Sequence, residues 1–257
     1  MPELPDLQAF SRNLDKMLRG KKVKAVSVKS PKVKSPEKEF KKDIEGSKVS
    51  GIYRDGKQLY IGFDNKTVLG LHLMLHGGLH VFEGKNENRH TVLELDFEDG
   101  SGLALTDWQG VATPTLNPEE ASAPDALSDE VNTSFWKEKL KGKASIKNVL
   151  LDQKVVRGIG NAYADEILWE AGISPFSVAN KIPASKVTAL SKAIRSVLVD
   201  AEKQILKSHP DIISGEVRDF LKIHNAKKKE SPKGAAIKIK VNAGRKTYYT
   251  DEQELFE

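Results

Sequence analysis

Residues 150–175, LLDQKVVRGIGNAYADEILWEAGISP, decide how this chain is read. They predict a helix, a turn bearing Gly158 and Gly160, and a second helix beginning near Asn161. Glycine reaches backbone conformations closed to other residues and lets another group approach the chain closely. Amides at a helix N-terminus lack intrahelical partners and attract anions. The expectation is therefore that the amides of Gly158 and Gly160 face solvent and bind a phosphate, with the Asn161 side chain adding a donor. An ordinary helix hairpin with a glycine turn is the competing reading of the same residues.

Further helical patterns surround this stretch, over residues 134–142, 144–154 and 185–209. Residues 112–133 are rich in Pro, Ala, Ser and acids with little apolar periodicity, and read as a linker. Upstream, from Lys22 to about Leu116, short β-rich runs such as VKAVSV, QLYIGF, TVLGLHLML and TVLELDF alternate with Gly, Asp and Asn turns, which suits a sandwich or flattened barrel. Leu4, Leu7, Phe10, Leu14 and Met17 recur at helical spacing at the start of the chain. The tail returns to strands, AAIKIKV and RKTYYT, around a turn at Asn242, Ala243 and Gly244. The expected organisation is a first domain over 1–115, a linker over 116–132, a helical domain over 133–225 and a terminal hairpin over 226–257.

The 257 residues are 39% hydrophobic and 30% charged, as in globular chains, and suffice for two modest domains. No apolar run approaches the roughly 20 residues that span a bilayer, and MPELPDLQAF lacks the order of a signal peptide, so a cytoplasmic protein is expected. With no cysteine, disulfides, thiolate nucleophiles and cysteine-ligated zinc are excluded. The six histidines have no ligand spacing, so neither a metal nor another cofactor is expected. The net charge is +5, with lysines clustered at Lys21–Lys34 and Lys227–Lys240. Such clusters suit a polyanion, or form a solvated basic surface.

Pro2 precedes Glu3 directly behind Met1. Removal of Met1 would expose a secondary amine beside a carboxylate. An α-amino group has a pKa near ~7.7 to 8.0 against ~10.4 for lysine, so near neutral pH a usable fraction is nucleophilic. Such an amine attacks an electrophilic carbon to form an iminium. Pro2 is equally read as a residue that favours methionine removal and starts a helix.

The opening PELPD, the hairpin GKQLYI around Lys57, and VVRGIGNAYADEILWEAGISP together resemble the formamidopyrimidine-DNA glycosylase and endonuclease VIII family. The resemblance spans nearly the whole chain in order. It implies an α+β fold: an N-terminal β-sandwich with an N-terminal helix, then a helix-two-turn-helix domain ending in a β-hairpin finger. It also implies a bifunctional DNA glycosylase and abasic-site lyase of base-excision repair that excises oxidised bases. In that reading Pro2 attacks C1′ of the damaged nucleoside, Glu3 is the general acid/base, and Lys57 contacts the phosphate beside the lesion. Asn161 holds a lesion-flanking phosphate, and His72 stands near the same phosphates. Leu75, in HLMLHGGL, fills the gap left by the extruded base, or is one more core residue of an apolar strand.

The family's finger usually carries four cysteines. Here Ile237, Ile239 and Val241 alternate with Lys238 and Lys240, Arg245 matches the finger arginine, and Thr250 stands where a cysteine would close the metal site. A zincless finger is expected, with Tyr248, Tyr249 or the isoleucine face packed on the helical domain, since a hairpin alone is marginal. Three departures bear on specificity. Asp6 replaces a glutamate. LTDWQGVATP lacks the arginine and phenylalanine used against the orphaned base, leaving Trp108 or Gln109. DFLKIHNAKKKESPK, residues 219–233, has no evident counterpart of the loop that covers 8-oxoguanine. The implied partner is damaged DNA, bound by a monomer near the nucleoid. Two other classes accommodate part of the pattern: a non-catalytic binder of abasic or distorted DNA, and a tautomerase using an N-terminal proline.

Overall fold

The computed structural model describes residues 1–242 and 244–257, without the Asn242 side chain; Ala243 of the expected finger turn lies outside them. The chain forms two compact units, one of residues 1–2, 6–120 and 205–216, the other of residues 3–5, 121–204 and 217–257. Among the described residues no helix is long and apolar enough to cross a membrane.

In the first unit, which takes helix α1 (Leu4–Leu18) from Asp6 onward, that helix has Asp6 in its first turn and Lys16 in its last, complementing the helix dipole. Its stripe Leu7, Phe10, Leu14 and Leu18 is buried, and Gly20 ends it at a φ of 82°. The strands are β1 (Val23–Val28), β2 (Val49–Asp55), β3 (Gln58–Phe63), β4 (Val68–His72), β5 (Gly78–Glu83), β6 (Thr91–Phe97), β7 (Ser101–Thr106) and β8 (Thr113–Leu116). They form two antiparallel sheets, ordered β1-β6-β7-β5 and β2-β3-β4-β8. Alternate residues of both, among them Val26, Ile52, Leu59, Ile61, Leu93 and Leu95, enter one core with α1, the sandwich expected from the patterning. The β2–β3 loop is two residues long, Gly56 and Lys57, with Gly56 first at a φ of 57°, as a type II′ connection requires.

Three local features differ from the sequence reading. A short helix α2 (Glu37–Ile44) arises from a mostly charged stretch, its only apolar residues Phe40 and Ile44 lying four apart and fully buried. The run TVLGLHLML ends as a strand at His72; Met74 takes a φ of 55° and the Gly77 amide bonds the Leu73 carbonyl at 2.8 Å. Finally, Thr113–Leu116 pairs with β4, although its Pro114 argues against a strand. It is an edge strand, where a missing donor is tolerated.

The second unit contains α3 (Thr133–Lys139), α4 (Ile146–Leu151), α5 (Asn161–Glu170), most of α6 (Ala184–Ser208), and the hairpin β9 (Lys238–Asn242) and β10 (Arg245–Tyr249). Asn132 and Ser145 cap α3 and α4 through their side chains. Trp136, Tyr163, Ile167, Leu168, Leu190 and Ile194 form its core, which Leu4 joins. Residues 121–132, expected as linker, contribute Ala126 and Val131 to that core, and Arg157 donates to the Ala123 carbonyl at 2.6 Å. In the finger, Tyr248 packs with Trp169 and Ile223, and Tyr249 meets Phe176 edge-on. Of the isoleucine face, Ile237 packs against that same Tyr248 cluster, whereas Ile239 is 53% and Val241 63% exposed.

Candidate active site

The N-terminus of α5 is occupied. Glu3, 5% exposed, accepts the amide of Gly160 at 2.8 Å on Oε2, of Ala162 at 2.9 Å on Oε1, and of Tyr163 at 3.3 Å on Oε2. A carboxylate there also meets the positive end of the helix dipole. This corrects the expectation that Gly158 and Gly160 present solvent-facing amides: the Gly160 amide serves Glu3, and the Gly158 amide donates to Gln153 Oε1 at 3.0 Å. The glycines serve close approach by protein, not by phosphate. A Cβ at residue 160 would stand 2.3 Å from Glu3 Cδ, and one at residue 158 would stand 2.6 Å from Leu4 Cδ1. Gly158 also has a φ of 106°.

Glu3 skips the amide of Asn161, the first residue of α5. The Asn161 Nδ2 donates to the Lys246 carbonyl of β10 at 2.9 Å. Its amide group has a second proton to offer. Arg245, the first residue of β10, is exposed. The second unit thus brings Glu3, Gly158, Gly160 and Asn161 to one helix terminus, and ties Asn161 to the strand that bears Arg245.

Pro2 is buried, and the Met1 ammonium pairs with the Glu216 carboxylate. Lys57 occupies its hairpin loop and acts electrostatically on His72, the last residue of β4. His72 Nδ1 accepts the Met74 amide at 3.2 Å, so in the neutral ring Nε2 carries the proton and is a donor. Burial, and secondarily the Lys57 charge, hold the His72 pKa below its ordinary value, which favours that neutral form.

Leu75 is not a core strand residue: it is 58% exposed in the β4–β5 loop, beside Met74 at 37%. Trp108, in the β7–β8 loop, is 62% exposed, with its ring 5.0 Å from that of His76. Two loops of the first unit therefore carry an apolar ridge. The Trp108 loop is shaped by Asp107, 3% exposed, which accepts the amides of Gln109, Val111 and Ala112 at 2.9, 2.8 and 2.7 Å. Asp107 has no distinctive signal in the sequence beyond its place before a glycine-bearing loop. Thr250, expected where a metal ligand would stand, donates from its amide to Gln253 Oε1 and from its hydroxyl to Glu252 Oε2, each at 2.9 Å.

The family model of the formamidopyrimidine-DNA glycosylase N-terminal domain matches residues 1–113, and that of the corresponding H2TH domain matches residues 122–208. The chain is 33% identical to the formamidopyrimidine-DNA glycosylase of Lactobacillus acidophilus over 97% of each chain. It is 32% identical to that of Carboxydothermus hydrogenoformans over 97% of this chain and 98% of the relative. It is similar to the solved Lactococcus lactis enzyme in complex with abasic-site DNA, with a TM-score of 0.88 and 25% identity over 98% of this chain and 100% of that one. A mutant of the same enzyme bound to Fapy-dG DNA gives 0.88 at 26% identity, with the same coverage. The chain belongs to the formamidopyrimidine-DNA glycosylase family and is a DNA glycosylase of base-excision repair.

Proposed function

We propose that this DNA glycosylase is also an abasic-site lyase, working through a Schiff base at Pro2. The observation that carries the reading is the fixed Glu3 carboxylate: three amides hold residue 3, so the nitrogen of the preceding Pro2 is held one residue away. While Met1 is attached that nitrogen is an amide and has no available lone pair; Met1 must be removed.

The Pro2 amine then bonds C1′ of the damaged nucleoside, and the base leaves with the electrons of its glycosidic bond and takes up a proton. Glu3 protonates the sugar ring oxygen as the ring opens, giving the iminium. Loss of a C2′ proton expels the 3′ phosphate, a second elimination releases the 5′ phosphate, and water returns the amine. Lys57, the neutral His72 Nε2–H, Asn161 and Arg245 are the proposed phosphate ligands. Gly158 and Gly160 shape the turn that holds Glu3. Leu75 and Trp108 replace the extruded base in the stack.

In this reading residues 1–115 form the catalytic domain, 116–132 connect it to the helix-two-turn-helix domain at 133–225, and 226–257 are the zincless finger. The protein acts as a cytoplasmic monomer on damaged DNA without metal or cofactor.

Borohydride reduction on an abasic-site duplex tests the chemistry. The expected product is a covalent complex whose cross-linked peptide begins at Pro2. Pro2→Gly should keep part of the trapping, Glu3→Gln should impair base excision more than cleavage of a preformed abasic site, and EDTA should change neither. Equal trapping by a protein with a blocked N-terminus would move the nucleophile to a lysine.

A further inference from the structure

Lys147, on α4, is 6% exposed, an unusual setting for a lysine. Its Nζ lies 2.7 Å from Asp165 Oδ1, donates to Thr247 Oγ1 at 2.8 Å, and reaches the Lys246 carbonyl at 3.5 Å. An ammonium has three protons, and three acceptors face it. Asp165, on α5 and fully buried, uses Oδ2 to accept the Tyr248 amide at 2.9 Å and His224 Nδ1 at 2.7 Å. His224 is itself fixed, with its amide bonded to Glu166 Oε1 at 2.7 Å and its ring 4.4 Å from that of Tyr248. Three successive residues of β10, Lys246, Thr247 and Tyr248, are thus gripped atom by atom immediately after Arg245.

Apolar packing of Tyr248 would hold the hairpin down but would tolerate sliding. Directional bonds to one carbonyl, one hydroxyl and one amide do not, because a shift of one residue takes the Thr247 hydroxyl and the Tyr248 amide away from the buried charged groups they serve and leaves those groups short of hydrogen-bond partners. The Asn161 bond to the Lys246 carbonyl adds a fourth contact to the same strand. No thiolate is present in the chain to do this through a metal.

We propose that the buried Lys147–Asp165 pair is a positioning device that sets the register of β10, and so determines where Arg245 and Asn161 present their donors to DNA. The DNA part of this inference rests on the proposed function; the clamp itself does not. Neither residue touches the reacting atoms.

The test uses full-length protein and an uncleavable tetrahydrofuran-site duplex, with Lys147→Met, Asp165→Asn and the double variant Lys147→Met/Asp165→Leu. Each single variant should weaken binding by about tenfold or more and lower the salt slope by ~0.9, the share of one phosphate contact. The trapping rate at saturating abasic-site DNA should stay within about twofold, and the double variant should recover part of the affinity because it leaves no lone buried charge. In DNA-free protein, hydrogen exchange should quicken over residues 245–249 in the single variants and not over 185–204. Unchanged exchange in 245–249, or unchanged affinity and salt slope, overturns the proposal, as does a trapping rate that falls in step with affinity. If the single variants do not fold, Thr247→Val removes one acceptor alone and should quicken exchange over the same residues; no change there also overturns it. Quickened exchange alongside a wild-type protein that binds no abasic-site duplex supports the clamp and sinks the DNA reading instead.

Discussion

Glu3 Oε2 accepts the Gly160 amide at 2.8 Å, and a single methyl group on residue 160 would stand 2.3 Å from Glu3 Cδ. The φ of Gly160 is −120°, which any residue adopts, so glycine is required there by contact and not by backbone strain. Gly160→Ala should therefore displace the Glu3 carboxylate while leaving the fold. We expect excision to fall at least about tenfold, a loss of ~1.4 kcal/mol in transition-state stabilisation. Gly158→Ala, at a φ of 106° and against Leu4, should chiefly lower the melting temperature. Single-turnover excision and thermal denaturation of both variants separate the two; equal activity loss at equal stability would contradict the distinction.

The exposed ridge of Leu75 and Trp108 predicts a difference between substrates. Filling the vacated stack matters while a base must be kept out, and base stacking on an aromatic ring is worth ~1–3 kcal/mol. Trp108→Ala should slow excision from a fully paired duplex by about ten- to a hundredfold and act less on a preformed abasic site. Fluorescence of 2-aminopurine placed beside the lesion would report extrusion directly; unchanged extrusion in the variant would remove Trp108 from this role.

His72 and His80 both have pKa values held below the ordinary 6.5 by burial, with the Lys57 charge adding to the effect at His72. The unfolded chain therefore binds protons that the folded one refuses. Stability from these groups is complete above pH 6.5 and declines as pH falls below it. Urea midpoints should drop between about pH 7 and pH 5, and less steeply in His72→Gln, which keeps a polar side chain without the titration. Parallel pH profiles for the two proteins would show that His72 carries none of the dependence.

Lesion choice is expected to favour ring-opened purines and oxidised pyrimidines over 8-oxoguanine. The latter differs from guanine by little more than one oxygen and one proton, so rejecting guanine needs a site that encloses the flipped base and pairs its altered edge. Among the described residues no helix or strand lies between Ser208 and Lys238, and Glu166 holds part of that segment down by accepting the amides of Lys222, Ile223 and His224. Single-turnover rates on matched duplexes decide the order; 8-oxoguanine excised as fast as the ring-opened purine would reverse it.

The sequence by itself determined what depends on local pattern. Period-two runs such as QLYIGF and TVLELDF became β3 and β6 within the residues read, and the helical stripe Leu7, Phe10, Leu14 became the buried face of α1. The Gly158–Gly160 turn before a helix, the Gly56–Lys57 hairpin and the absence of cysteine are equally local facts, and with PELPD they pointed to the family. Only the tertiary structure decided what each of these groups meets. A glycine turn at a helix start suits a phosphate or a carboxylate alike, and it is Glu3, some 157 positions away in the chain, that takes the amides. The strand reading of Leu75 failed because a β4–β5 turn through Met74 turns it to solvent, and one apolar run looks the same in a core strand or an exposed loop. Lys147, in IKNVLL, and Asp165, in NAYADEI, carry no mark that sets them apart from surface charges. Their meaning arises when α4, α5 and β10 meet, because a buried charge is tolerated only where folding delivers its partner.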